Sequence, residues 1–278
     1  MEPVVYAGEP GAFAEDAVLA AFGDVSRTAV ASFRVVFEAV ANEPVAAAGV
    51  VPIENVVNGT VRENYDLLLE HDLTIVGEVV VPVRLCLAAL PGQTVHDIER
   101  VYSHIQALGQ AEAYLRTRPW QLLTTYNTAG AGKSIVERDE RGAAAMLSPR
   151  AAALFGLEIL AEDIQDQADN RTRFLIVAPP GADLPVPLEG GPPRTTLALA
   201  VRNEPGTLLA VLEVFARHGL NMSKLESRPS RERAWEYVFW VDLDAGGTDP
   251  GTQAALAQLS GVTTMLRVLG SYPRGEGG

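Results

Sequence analysis

The sequence predicts an α/β protein in two parts: a two-lobed unit with a cleft, then a smaller unit of order βαββαβ, the ferredoxin-like plan. Three observations carry this. Short β-branched apolar runs alternate with amphipathic helical runs over residues 4–160, the pattern of a mostly parallel sheet. A strand beginning at Thr172 and running to Val177 then returns after that excursion, which implies two lobes joined by two crossings. Residues 179–194 follow with six prolines, three glycines and no periodicity, which marks a linker.

Taken in order, Val4-Val5-Tyr6-Ala7 is a strand, Gly8-Glu9-Pro10-Gly11 a turn, and a helix starts near Phe13. Ser32 reads as the N-cap of a helix with Phe33, Val36, Phe37 and Val40 on one face. A buried strand at 48–53 leads to Glu54-Asn55, and Thr60-Val61-Arg62-Glu63 fits a capping box for a helix reaching about His71. Residues 73–90 are β-like, interrupted by Pro82, and form the first crossing. The second lobe continues with strand 100–103, helix 106–115, strand 122–126, helix 129–136 and strand 143–147. A helix capped by Ser148-Pro149 and a strand at 157–160 complete it. The predicted unit spans residues 1–180, with lobe one about 1–77 and 163–180 and lobe two about 78–162. Beyond the linker, 195–273 reads as strand 195–201, helix 207–218 closed by Gly219, strands 220–227 and 235–242, helix 250–259 and strand 265–271. Residues 273–278 read as a disordered tail.

Composition narrows the function. A formal charge of −13, with no basic run longer than two residues, argues against nucleic acid and against an anionic membrane surface. The single cysteine, Cys86, lies in an apolar strand and reads as a small core residue. No basic-then-apolar leader and no membrane-length apolar run are present, so a cytoplasmic protein is expected. His71, His96, His104 and His218 share no metal-ligand spacing. Gly130-Ala131-Gly132-Lys133-Ser134 ends like a P-loop, but Asn127 stands where the motif requires glycine. Thr172, at a strand end between Arg171 and Arg173, reads either as a β-favouring residue beside two solvated arginines or as a ligand group. Glu54 and Asn55, between a strand end and a helix start, read as turn formers or as ligand contacts.

Several segments together resemble prephenate dehydratase: Glu54-Asn55 after Val51-Pro52-Ile53, Ser103-His104-Ile105-Gln106-Ala107, and Asn170-Arg171-Thr172-Arg173-Phe174. After the linker, Glu204-Pro205-Gly206-Thr207-Leu208-Leu209 and Asn221-Met222-Ser223-Lys224-Leu225-Glu226-Ser227-Arg228-Pro229 resemble the ACT regulatory domain. Val56 departs from the family's usual Ser or Thr, and Ile105 from its usual Pro. The resemblance implies a two-lobed, periplasmic-binding-protein-like catalytic domain in a monofunctional chain without a fused chorismate mutase. It implies conversion of prephenate to phenylpyruvate with no cofactor and no metal. Thr172, Glu54 and Asn55 would be catalytic, and Ser103, Gln106, Asn170, Arg173, Phe174 and Thr60 would bind substrate. Strand alternation sets Arg173 opposite Thr172, so it binds substrate only if the backbone turns there and otherwise braces the lobes. L-phenylalanine would act as effector at Gly206, Thr207, Leu208, Asn221, Met222, Glu226, Ser227 and Arg228, in a homodimer or homotetramer. Arogenate dehydratase is the nearest alternative. A non-catalytic amino-acid sensor is the alternative of another class.

Overall fold

The structure, a computed structural model, describes residues 2–41, 45–182, 184, 191–229 and 237–275. Seven of the sixteen residues of the predicted linker, the start of the strand predicted at 235–242 and the last three residues of the predicted tail lie outside these. Lobe one forms because the apolar strands β1 (Val4–Ala7) and β3 (Ala48–Asn55) need both faces covered, with the half-buried β2 (Arg27–Val30) at the sheet edge. Helices α1 (Phe13–Phe22) and α2 (Phe33–Ala41) cover them, and α3 (Arg62–Glu70) follows a short β4 (Gly59–Thr60). Gly49 permits α2 to sit close on β3, since a Cβ there would lie 2.6 Å from Val36 Cγ1. The sheet is completed by β5 (Thr74–Pro82), in the order β2-β1-β3-β11-β5, where β11 is the returning strand Arg171–Ala178.

Lobe two contains β6 (Cys86–Ala89), β7 (Arg100–Ser103), α4 (Ile105–Gln110), α5 (Glu112–Leu115), β8 (Gln121–Thr124) and α6 (Thr128–Glu137). It ends with β9 (Ala143–Leu147), α7 (Pro149–Leu154) and β10 (Glu158–Ala161), in the sheet order β10-β6-β9-β7-β8. The sheets are mixed, not mostly parallel. In the first, β11 runs antiparallel to both β3 and β5 because it re-enters from the other lobe. The strand β5 stays in the first sheet to Pro82, so the crossing lies later than expected. The helix expected at 106–115 breaks into two at Ala111.

Beyond residue 191 come β12 (Pro193–Ala200), α8 (Thr207–Arg217), β13 (Met222–Pro229), β14 (Tyr237–Leu243), α9 (Pro250–Leu259) and β15 (Met265–Pro273). Their order β13-β14-β12-β15 is the ferredoxin-like sheet, all antiparallel. One face packs on α8 and α9 through Leu197, Val241 and Phe215. The other shares a core with lobe one through Ala198, Trp240, Tyr272, Tyr65 and Ile75. Close docking needs Gly270, where a Cβ would lie 2.0 Å from the Ile75 carbonyl oxygen. Arg267 caps the end of α3 by donating to Leu69 O (3.0 Å) and His71 O (2.7 Å). The expected tail is ordered to Gly275, whose N–H donates to Glu78 Oε1 at 3.1 Å.

The two lobes are clamped behind the cleft. Arg150 of α7 bonds Glu15 and Asp16 of α1, and Ser148 Oγ donates to Gly11 O at 3.1 Å. Burial by itself would raise the Glu15 pKa, but the Gly11 N–H and the Arg27 and Arg150 guanidinium groups outweigh it and hold it at about 2. A carboxyl with a depressed folded pKa stabilises above its unfolded value and loses that contribution as pH falls through the folded one. Asp16 beside it is shifted upward by burial and acts with the opposite sign. We expect the unfolding midpoint to fall between about pH 5 and pH 2, and Glu15→Gln to flatten that fall. Parallel pH curves for the two proteins would rule the clamp out as the cause.

Candidate active site

Between the lobes lies a cavity of about 500 Å³, with walls supplied by both lobes. Its floor in lobe one is the paired ends of β3 and β11. Thr172 lies opposite Asn55 and Arg173 opposite Glu54, but Phe174 pairs with Pro52, so β3 carries one extra residue. This bulge sets Ile53 and Glu54 together against Arg173. Without it, two-residue alternation would turn Glu54 into the cavity with Pro52 and send Asn55 away. With it, Pro52 and Asn55 line the cavity beside Thr172 and Phe174, and Glu54 faces the opposite side.

Asn55 is the polar centre of this floor. Its Oδ1 accepts from the backbone N–H groups of Val57 (3.0 Å) and Asn58 (2.8 Å), which assigns the amide orientation. It also accepts from Gln110 Nε2 of lobe two at 3.3 Å. The Nδ2 group then donates to Asn170 Oδ1 (2.8 Å), Arg171 O (2.9 Å) and Thr172 Oγ1 (3.0 Å). Because Thr172 accepts from Asn55, its own hydroxyl proton is left to be donated into the cavity.

From lobe two come Gln106, Gln110, Tyr126, Asn127, Thr128 and His104. His104 caps α4 by accepting from Gln106 N at 3.4 Å through Nδ1, so its ring proton sits on Nε2. Burial lowers the imidazole pKa, which favours the neutral ring. Helices α1, α2 and α6 all begin at the cavity wall, through Ala12-Phe13-Ala14, Ser32-Phe33 and Asn127-Thr128. Among the described residues no lysine or arginine lines it, and Glu63 is the one carboxylate. An anion here is therefore met by amides, hydroxyls and the positive ends of helices.

Of the residues expected to act on substrate, Thr172, Asn55, Gln106 and Phe174 share the cavity. Asn170 stands just behind it and holds Asn55. Ser103 does not reach it: the side chain is wholly buried and donates to Met146 O at 2.6 Å, while its neighbour His104 takes the wall position. Thr60 forms no capping box, because its hydroxyl donates to Glu226 Oε2 at 2.7 Å across the domain boundary.

Glu54 and Arg173 are also displaced, to the face turned away from the cavity. Arg173 Nε lies 2.7 Å from Glu54 Oε1, Nη1 donates to Glu78 Oε2 (2.9 Å) and Nη2 to Asp242 Oδ2 (2.9 Å). Arg194 Nη1 adds bonds to both Glu78 oxygens (2.8 and 2.6 Å), and Lys224 reaches Glu54 from β13. Burial alone would raise the Glu54 pKa, but Arg173 and Lys224 pull it below its usual value. Glu54 is thus an ionised structural partner, unsuited to giving a proton. Arg171 is also not in the cavity and pairs with Asp169. The P-loop-like glycines serve packing: a Cβ at Gly130 would lie 2.5 Å from the Tyr126 ring, and Lys133 pairs with Glu9 at 3.0 Å.

A second concavity of about 270 Å³ lies on the ferredoxin-like unit, lined by Gly206, Thr207 and Leu208 together with Arg202, Tyr237 and Phe239. Gly206 adopts φ 88° at the start of α8, a conformation open to glycine. Ser227 pairs with Phe239 and so shares this face of the sheet. Asn221 instead donates to Asp244 Oδ2 (2.6 Å), and Met222 packs into the helix-side core. Glu226 and Arg228 point to lobe one, Arg228 donating to Arg62 O at 2.6 Å.

Among known proteins, the prephenate dehydratase family model matches residues 4–182, and the ACT domain model matches 195–261. Arogenate dehydratase 2 of Petunia hybrida is 39% identical over 292 residues, covering 99% of this chain and 72% of that protein. The solved prephenate dehydratase of Arthrobacter aurescens, in complex with L-Phe, has a TM-score of 0.88 at 33% identity, covering 98% of this chain and 90% of that one. A structure described as GqqA, a novel type of quorum-quenching acylase, also gives a TM-score of 0.88, at 31% identity over 99% of both chains.

Replacing Arg173 would leave Asp242, Glu54 and Glu78 under-compensated in a buried setting. Arg173→Met is expected to cost about 3–5 kcal/mol, read as a lowered midpoint in chemical denaturation. An unchanged midpoint would show that the cluster is solvated and replaceable.

Proposed function

The chain belongs to the prephenate dehydratase family, and from that premise we propose that the cavity above Asn55 and Thr172 converts prephenate to phenylpyruvate, carbon dioxide and water. The observation that carries this is that Thr172 Oγ1 accepts from Asn55 Nδ2 and lines the cavity, which makes its hydroxyl proton available to a bound substrate. In the reaction the ring carboxylate leaves as CO₂ and its bonding pair enters the ring. The ring hydroxyl departs with its own bonding pair and one added proton, as water. Aromatisation supplies the driving force, so the site must position a dianion and help one oxygen leave. A threonine hydroxyl is too weak an acid to deliver a proton unaided. Its role is to hydrogen-bond the leaving oxygen and relay a proton, with the oxygen polarised by the Asn55 amide. Gln106, Gln110 and the neutral His104 bind from the second lobe, and the substrate carboxylates lie at helix starts.

No cofactor enters this scheme. Residues 1–180 are the catalytic unit and 195–273 the ACT unit, where phenylalanine exerts feedback. The concavity at Gly206 receives it, with the start of α8 facing its carboxylate. The open edge of β13 is suited to pairing with a second copy, in a homodimer or homotetramer. No helix of the described residues is long and apolar enough to cross a membrane, which accords with a cytoplasmic location.

One observation favours arogenate as a second substrate. It carries an ammonium where prephenate has a ketone, and among the described residues Glu63 is the one carboxylate lining the cavity, with no lysine or arginine beside it there. Acyl hydrolysis, named for one structural neighbour, is less suited to this site. It calls for an activated nucleophile, and the group bonded to Thr172 Oγ1 is an amide donor, not a base.

Thr172→Val keeps the shape and removes the hydroxyl. We expect kcat on prephenate to fall about 10²–10⁴-fold with the circular dichroism spectrum unchanged. Retention of wild-type turnover by a folded variant would refute the assignment. Comparing prephenate with arogenate on the wild type, and again on Glu63→Gln, settles the preference.

A further inference from the structure

We propose that Lys224, on the ACT unit, is a positioning residue for Asn55 and Thr172, acting through Glu54, and that this contact carries the phenylalanine response to the cavity. The proposal rests on the dehydratase reading above. It starts from a single segment, residues 54–66, that lies between the cavity and the ACT sheet. One side of the segment gives Asn55, Asn58, Val61 and Glu63 to the cavity wall. The other side is held by successive inward residues of β13. Lys224 bonds Glu54, Glu226 accepts from Thr60 at 2.7 Å, and Arg228 reaches Asp66 at 3.2 Å and Arg62 O at 2.6 Å. Tyr65 is gripped as well, with Lys224 Nζ 5.3 Å and Arg228 Cζ 5.8 Å from its ring centre and Trp240 edge-on at 4.6 Å.

The far face of the same strands meets the effector concavity through Phe239, with Ser227 beside it in register. A ligand that shifts β13 therefore acts on 54–66 directly. Of the three gripping residues, Lys224 has the shortest route to the chemistry. Its partner Glu54 is the covalent neighbour of Asn55 and the second residue of the bulge that turns Asn55 into the cavity. Glu54 keeps Arg173 as a counter-charge when the lysine is removed, so the fold tolerates the change.

The test measures kcat and KM for prephenate with and without phenylalanine, and phenylalanine binding by calorimetry, on the full chain. Lys224→Met is expected to lower kcat at least tenfold with little change in KM. It should bind phenylalanine as the wild type does, yet respond to it less than twofold. Lys224→Arg should restore both properties. Glu54→Gln should reproduce the methionine variant, and the double variant should be no worse than either single one. A purely structural lysine would change stability without separating binding from response. Wild-type kcat and response in Lys224→Met would overturn the proposal, as would multiplied effects in the double variant. Should Lys224→Met not fold, Glu54→Gln alone decides by the same readings. An inactive wild type would sink the dehydratase reading and this inference together, whereas an active wild type with unaltered variants sinks this inference alone.

Discussion

The structure depends on satisfying one buried cation. Arg173 is 7% exposed and takes its counter-charges from three places: Glu54 on β3, Glu78 on β5 and Asp242 on β14 of the ACT unit. Burial disfavours its charge, but the surrounding carboxylates outweigh that, so the guanidinium remains protonated. A charge in this setting is tolerated because carboxylates surround it, and Glu78 and Asp242 are the more deeply buried of them. Docking of the ACT unit is therefore part of the electrostatics of lobe one. Thr196 and Tyr272 extend the network by hydrogen bonding around Asp242, at 2.7 Å each.

The same constraint locates the chemistry. On β11, side chains alternate, so holding Arg173 to the ACT side puts Thr172 and Phe174 on the cavity side. On β3 the extra residue does the corresponding work, giving Glu54 to the cluster and Asn55 to the cavity. Two adjacent residues on each strand thus serve opposite faces of one sheet. The catalytic floor and the regulatory contact are one peptide bond apart, which is why they are natural candidates for coupling.

Much of this was legible in the chain. Caps at Ser148 and Gly219, the bounds of α9 at Pro250–Leu259 and the βαββαβ order follow from local rules of turn chemistry and period. The segments around Asn55, Gln106 and Thr172 pointed to one site, and they meet there. Short elements such as β2, whose residues are only half buried, gave no clear apolar signal. Glu54, Ser103 and Thr60 were expected at the cavity and lie elsewhere, while Arg173 took the outward, bracing side that strand alternation gives it. In each case a partner distant in sequence had claimed the side chain: Lys224, Met146 O, Glu226 and Asp242 respectively.

What the sequence determined by itself is the set of elements, their order and the residues gathered near the cleft, because propensity, capping and hydrophobic period act within a few neighbours along the chain. The tertiary structure alone decided which face each of those residues serves. A bulge of one residue reverses every side chain beyond it, and its position is set by pairing between strands more than a hundred residues apart. Whether a carboxylate at such a junction gives a proton or balances a buried arginine follows from that register, which no local pattern encodes.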